Sequence, residues 1–276
     1  MSSVALRTAY DSAAEAWGGA PDRVFGALAE ALLVRGPLWR GLVVLDVGAG
    51  SGTATRRLVA AGATAVPMDA AAGMLAVARA RCACRPVAAD AMVLPVRTGA
   101  VDAVVMGFLL NHLPEPAAAL AEAARVVRPG GWILASTWAR ENDHPVKHVV
   151  EAALLARGWT PPQWYVELKE GTALLTDSAD GLADAARIAG LVGIHASRVD
   201  VELPLGLSDL VGWRLGMPNN APFVAALSQA DRHALLTELS QATVGMPAMT
   251  CATVMLAARG PACLDSVEQR RGVGGR

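Results

Sequence analysis

From residue 42 onward, short apolar runs alternate with segments whose apolar positions recur every three or four residues. That is the rhythm of strands joined by helical crossovers. The run 42–47 is rich in β-branched residues, as a parallel strand covered on both faces requires. The pattern then predicts a helix over 53–61, a strand over 63–68, a helix over 70–81 and strands over 85–89 and 103–107. A helix ending at Val127 and a fifth strand over 132–137 complete this stretch. Before it, 5–34 reads as helix, split by Gly18-Gly19-Ala20-Pro21. After Trp138 the rhythm breaks; it resumes with a strand over 192–203, helices near 221–226 and 231–239 and a last strand over 250–257. The expected fold is α/β: a seven-stranded, mostly parallel sheet with helices on both faces.

The turn after the first strand reads Asp46-Val47-Gly48-Ala49-Gly50-Ser51-Gly52. Glycines there admit positive φ and let a ligand reach the main chain, while the helix that follows offers free N–H groups. A dinucleotide fingerprint would need a glycine where Thr53 stands, and a P-loop would need a Gly-Lys-Ser/Thr that never occurs. Asp69 follows about 20 residues later, where a βαβ nucleotide fold places a carboxylate for ribose hydroxyls. An ordinary glycine turn, and for Asp69 a helix N-cap, are the bland alternatives. Ligands of open parallel sheets sit beyond the carboxyl ends of the strands, so Asp46, Asp69, Asp90 and the Gly107-Phe108 pair should gather around one crevice.

Taken together, LDVGAGSGTATRRL, VPMDAAAGMLAVARAR, AADAMVLPV and VDAVVMGFLLNHLPEPAAALAEAARVVRPGGWILAS resemble the core of class I S-adenosylmethionine methyltransferases, the group that includes the quinone-biosynthesis C-methyltransferases. The resemblance covers residues 41–138. It implies a Rossmann-like fold with an α-helical lid after the fifth strand, and S-adenosylmethionine as cofactor. Gly48, Ala49, Gly50 and Gly52 would approach its methionine and ribose, with Asp46 positioning the amino group. Asp69 and Ala70 would hold the ribose and Asp90 the adenine amino group, with Met74 and Ala91 flanking the ring and Gly107 and Phe108 bounding the site. Ala49 replaces the family's commoner cysteine and Met68 its commoner valine; neither removes a hydrogen-bonding group. Tyr10-Asp11 resembles the family's N-terminal Tyr-Asp, so the first helices are expected to close over the pocket.

These expectations divide the chain into a helical cap (1–35), a cofactor core (36–140), a lid (141–190), further core with substrate-wall helices (191–260) and a flexible tail (261–276). Tyr10, Trp17, Trp138, Trp164 and Trp213 are candidate acceptor contacts, and their aromatic character favours a flat acceptor. His112, after the fourth strand, is the first candidate base and His144 the second; a carbon nucleophile already deprotonated would need neither. The expected activity is methyl transfer to oxygen or carbon of a small, aromatic or polyketide-like molecule, in bacterial secondary metabolism. A non-methylating cyclase or binding module on the same fold, and methylation of RNA or protein, are the alternatives. A net charge of −1 argues against a nucleic-acid partner. No metal spacing and no membrane-length apolar run occurs, so a cytoplasmic monomer or homodimer with reduced cysteines is expected.

Overall fold

The computed structural model describes residues 3–262, so the tail expected over 261–276 lies outside the described residues from position 263 on. Two N-terminal helices, α1 (Ser3–Trp17) and α2 (Ala20–Leu33), precede the sheet. Strands β1 (Val43–Val47), β2 (Thr64–Asp69) and β3 (Val87–Ala88) alternate with α3 (Thr53–Ala60) and α4 (Ala72–Arg81). Then come β4 (Val101–Gly107), α5 (Pro116–Val126) and β5 (Val127–Trp138). A helical stretch holds α6 (Pro145–Leu155), α7 (Gln163–Glu170) and α8 (Ala179–Ile188). The chain closes with β6 (Val192–Glu202), α9 (Leu207–Leu215), α10 (Ala221–Ala226), α11 (Gln229–Ala242) and β7 (Thr250–Arg259).

The strands lie in the order β3-β2-β1-β4-β5-β7-β6. β3, β2, β1, β4 and β5 pair in parallel, and β7 is antiparallel to both its neighbours, β5 and the edge strand β6. Strand order reverses between β1 and β4, which opens a crevice at their carboxyl ends. Alternate residues of each strand feed opposite faces. Leu45, Val47, Val104 and Ile133 pack with Leu120 of α5 and Leu182 of α8, whereas Val44, Val105 and Leu134 pack with Leu32 of α2 and Leu58 of α3.

Three segments differ from the pattern. The third strand keeps only two of its five expected residues. Arg128-Pro129-Gly130-Gly131 lies inside β5, and the register with β4 shifts there, because Gly130 turns at φ 69° while Gly131 seats against the Asp102 carbonyl. Of the segment 141–190, α6 and α7 border the crevice, whereas α8 buries Leu182, Ala183, Ala185 and Ala186 against α5 and the β6–β7 pair as part of the helical layer.

Leu134, fully buried in a central strand, sets the scale of core packing. Leu134→Ala should cost about 2–5 kcal/mol in urea unfolding. Leu236→Ala, on a side chain 46% exposed, should stay within about 0.5 kcal/mol.

Candidate functional site

A cavity of about 1100 Å³ opens at the carboxyl edge of β1, β2 and β4. Single-ligand pockets span about 300–1,000 Å³, so this one has room for a cofactor and an acceptor together. Its floor is the glycine turn. Gly48 and Ala49 donate their N–H groups to the Met68 carbonyl, at 2.8 and 3.0 Å, tying the turn to β2. Gly50 N donates to Asp69 Oδ2 and Ala71 N to Asp69 Oδ1, each at 2.8 Å. Asp69 is thus both the start of α4 and the brace of the loop, and its helical neighbours begin at Ala72 rather than at position 70. Gly50 sits at φ 53°, and a Cβ there would meet nothing within 4 Å, which leaves its face open to the cavity. Gly52 serves another end: it does not line the cavity, and a Cβ would come 2.7 Å from Cys82 Sγ, so it lets α3 start hard against α4.

Asp46 is buried and accepts the Thr55 hydroxyl at 2.5 Å. Burial pushes its carboxyl up to about 6, the Thr55 hydrogen bonds opposing and the Asp69 charge assisting. Burial likewise raises Asp69, against the pull of the Ala71, Gly50 and Ala70 amides. Asp90 is exposed at the mouth and turns on the Met92 amide at 2.9 Å. With Ala70, Met74, Ala91 and Gly107 they line one half of the cavity, and this set of carboxylates, open backbone and apolar side chains suits an adenosyl group carrying an amino acid.

The other half is aromatic. A continuous line of rings runs Tyr10, Trp17, Phe25, Phe108, Trp138, Trp213, with successive centroids 5.5, 5.1, 5.4, 4.4 and 6.1 Å apart. Trp164 and Tyr165 of α7 stand on the same wall. Phe108 is the one non-glycine with positive φ, 55°, among the described residues, and its N–H is held by the Ser136 carbonyl at 2.8 Å. Strained backbone of this kind collects where a site needs a side chain aimed against its own preference.

His112 ends a 3₁₀ turn, Leu110–His112, and its Nε2 meets the Tyr10 hydroxyl at 3.0 Å. Burial lowers the imidazole to about 4, so it is neutral near neutral pH, while burial first and then Asp69 raise the Tyr10 phenol. His112 Nδ1 is buried and unpartnered, as are Asn111 Oδ1, Ser136 Oγ, Trp213 Nε1 and Arg214 Nε; all five residues line the cavity. Buried polar atoms are nearly always bonded, so five orphans on residues that line one cavity set this wall apart from the rest of the core.

His144 is a correction to the sequence reading. It does not line the cavity; it is the N-cap of α6, its Nδ1 accepting the Val146 N–H at 3.2 Å, and that bond takes the lone pair a base would need. Sequence reasoning also missed Asn111, Ser136, Lys147 and Arg214, which reach the cavity from four different elements or loops. Lys147 carried a signal as one of two lysines in the chain, and Arg214 and Asn111 stand beside the candidates Trp213 and His112 without having been singled out.

Asp46 has a measurable consequence. The folded protein holds its proton more tightly than the unfolded chain, so its contribution to stability is full below pH 3.8 and is lost as pH rises through about 6. Asp46→Asn keeps an acceptor for Thr55 and should remove that loss. Urea midpoints across the range should show the variant gaining on the parent as pH rises; parallel curves would contradict the assignment.

Comparisons with known proteins agree with this geometry. A family model described as "Methyltransferase domain" matches residues 45–135, from β1 to β5. The chain is 35% identical over 154 residues to demethylmenaquinone methyltransferase of Renibacterium salmoninarum, covering 52% of this chain and 63% of that protein. It is 34% identical over 181 residues to the enzyme of the same name from Mycolicibacterium paratuberculosis, covering 63% and 76%. Haemonchus contortus phosphoethanolamine N-methyltransferase 2, solved with S-adenosyl-L-methionine, shares the fold at TM-score 0.55 and 19% identity, over 85% of this chain and 52% of that one. With the sheet order, the braced glycine turn and a relative matched over three-quarters of its length, the chain belongs to the class I S-adenosylmethionine-dependent methyltransferases.

Proposed function

We propose that the chain methylates carbon or oxygen of a flat, largely apolar phenol or quinol. The observation that carries this reading is the aromatic line from Tyr10 to Trp213 facing the glycine turn across one cavity. The two relatives are named for a demethylated menaquinone, which is an acceptor of that class. Trp138 and Phe108, with centroids 4.4 Å apart and planes tilted by 40°, offer an aromatic corner against which a ring packs.

S-adenosylmethionine supplies a methyl group on a sulfonium, and displacement there is in line, so the chain's task is alignment and removal of water. Asp46, Asp69 and Asp90 hold the cofactor's polar groups; the aromatic wall holds the acceptor ring. In the tautomer whose Nε2–H points to Tyr10, His112 Nδ1 keeps its lone pair and is the candidate proton acceptor; it is covered here, so the side chains over it must shift for an acceptor hydroxyl to reach it. A base lowered to about 4 is weaker than the optimum near working pH, so alignment carries more of the rate than proton transfer.

The deciding experiment incubates the protein with S-adenosylmethionine and a panel of reduced naphthoquinones, polyketide phenols and transfer RNA, reading methylated products by mass spectrometry. Methylation confined to the ring compounds supports the reading; methylated RNA, or a rearranged product without added methyl, overturns it. Asp69→Ala should weaken S-adenosylhomocysteine binding in calorimetry by about 1–3 kcal/mol, from lost charge-assisted hydrogen bonds. His112→Ala should lower kcat by about a hundredfold while cofactor affinity changes little. Equal losses in both would leave the imidazole a packing role.

A further inference from the structure

Most partly buried cations of the described residues have a carboxylate. Arg56 and Arg81 share Asp22 at 2.7 and 3.2 Å, Arg125 meets Glu122 at 2.7 Å, and Arg157 meets Glu238 at 2.7 Å. Arg35, on the Ala31 carbonyl, and Arg259, over the Trp132 ring, do without one, and so do two cations in the acceptor half of the cavity. Lys147, from α6, donates only to the Asn142 carbonyl. Arg214, from α9, has a buried Nε without a partner and lies beside the Trp213 ring, its Cζ 5.4 Å from the centroid. Neither is in an ion pair among the described residues. Of the acids on this side, Asp143 is itself bonded to His148 at 2.8 Å, and Glu151 lines the cavity one helical turn from Lys147 without an ion pair to it.

We infer that Lys147 and Arg214 together form a docking point for an anionic oxygen group, a carboxylate or phenolate, on the acceptor. A charge in an apolar pocket is costly unless paired, and removing one of two partners costs more than never burying them. Two unpaired cations converging from separate helices, beside a slab of tryptophan, leave a negative charge on the ligand as the missing partner. The planar guanidinium suits a carboxylate edge, and the ammonium adds a point charge. The acceptor is then amphiphilic: a ring against Trp138, with its anionic edge turned toward α6 and α9. Lys147 is already affected by this crowding: burial first, then the charge of Arg214, lower it to about 8, with Lys169 adding to the effect and Cys251 and Asp143 opposing it.

This rests on the flat-acceptor reading, and the test separates the two. Hydroxynaphthoate and naphthol, which share a ring and differ in the carboxylate, are titrated calorimetrically into the protein saturated with S-adenosylhomocysteine. Hydroxynaphthoate should bind tighter by on the order of tenfold or more, the range of a charge-assisted hydrogen bond. Lys147→Met and Arg214→Met should each cut that preference while naphthol affinity holds. Equal binding of both rings by the parent protein overturns the anion site and leaves the flat-acceptor reading standing. Equal loss of both rings in the variants also overturns it, since that is a packing defect. Binding of neither ring, with S-adenosylhomocysteine still bound, overturns the flat-acceptor reading and the docking point with it.

Discussion

The carboxylate of Asp69 is bonded to the amide of Gly50 on one side and of Ala71 on the other, at 2.8 Å each, and the geometry of the crevice follows from those two bonds. One oxygen holds a turn that glycine leaves free to wander; the other starts α4. A buried carboxylate is expensive, and several amide donors offset that cost, which keeps both elements locked to the end of β2. The Met68 carbonyl doubles the tie through Gly48 and Ala49. Without this brace the open face of Gly50 would have no fixed place relative to the aromatic wall.

The N-terminal helices are fastened to this edge by polar contacts from far along the chain. Asp22 of α2 gathers Arg56, Arg81 and the Thr53 hydroxyl, so although burial alone would raise its carboxyl, these partners hold it below the usual range. Asp11 of α1 accepts the Gly73 N–H at 2.7 Å, and Tyr10 reaches His112. α1 is therefore attached on both sides of the cavity, to α4 over the cofactor half and to the β4–α5 loop over the acceptor half. These two ties fix α1 across the mouth of the cavity.

The two halves differ in what they offer. The cofactor half presents carboxylates and backbone on rigid strand ends; the acceptor half presents rings, two unpaired cations and orphaned donors on α6, α7 and α9. Val150 and Leu154 of α6, Leu210 and Trp213 of α9 and Leu239 of α11 are buried together with Val24 and Leu28 of α2 and Cys251 of β7.

The sequence by itself determined the sheet, the order of its elements and the cofactor edge, because period, glycine spacing and strand-end carboxylates are local properties: β1, α3, β2 and β4 stand within two residues of their expected bounds. It also supplied Asp46, Asp69, Asp90 and His112, each next to a strand end that the pattern had already located. Only the tertiary structure decided how the acceptor half is built. That Trp17 stacks on Phe25, that Phe108 is turned to positive φ against Trp138, and that Lys147 and Arg214 share one space depend on how separate elements pack, which no local pattern carries. It likewise separated two histidines alike in sequence, leaving His112 in the cavity and giving His144 to a helix cap, because a side chain's role is set by which backbone amide reaches it first.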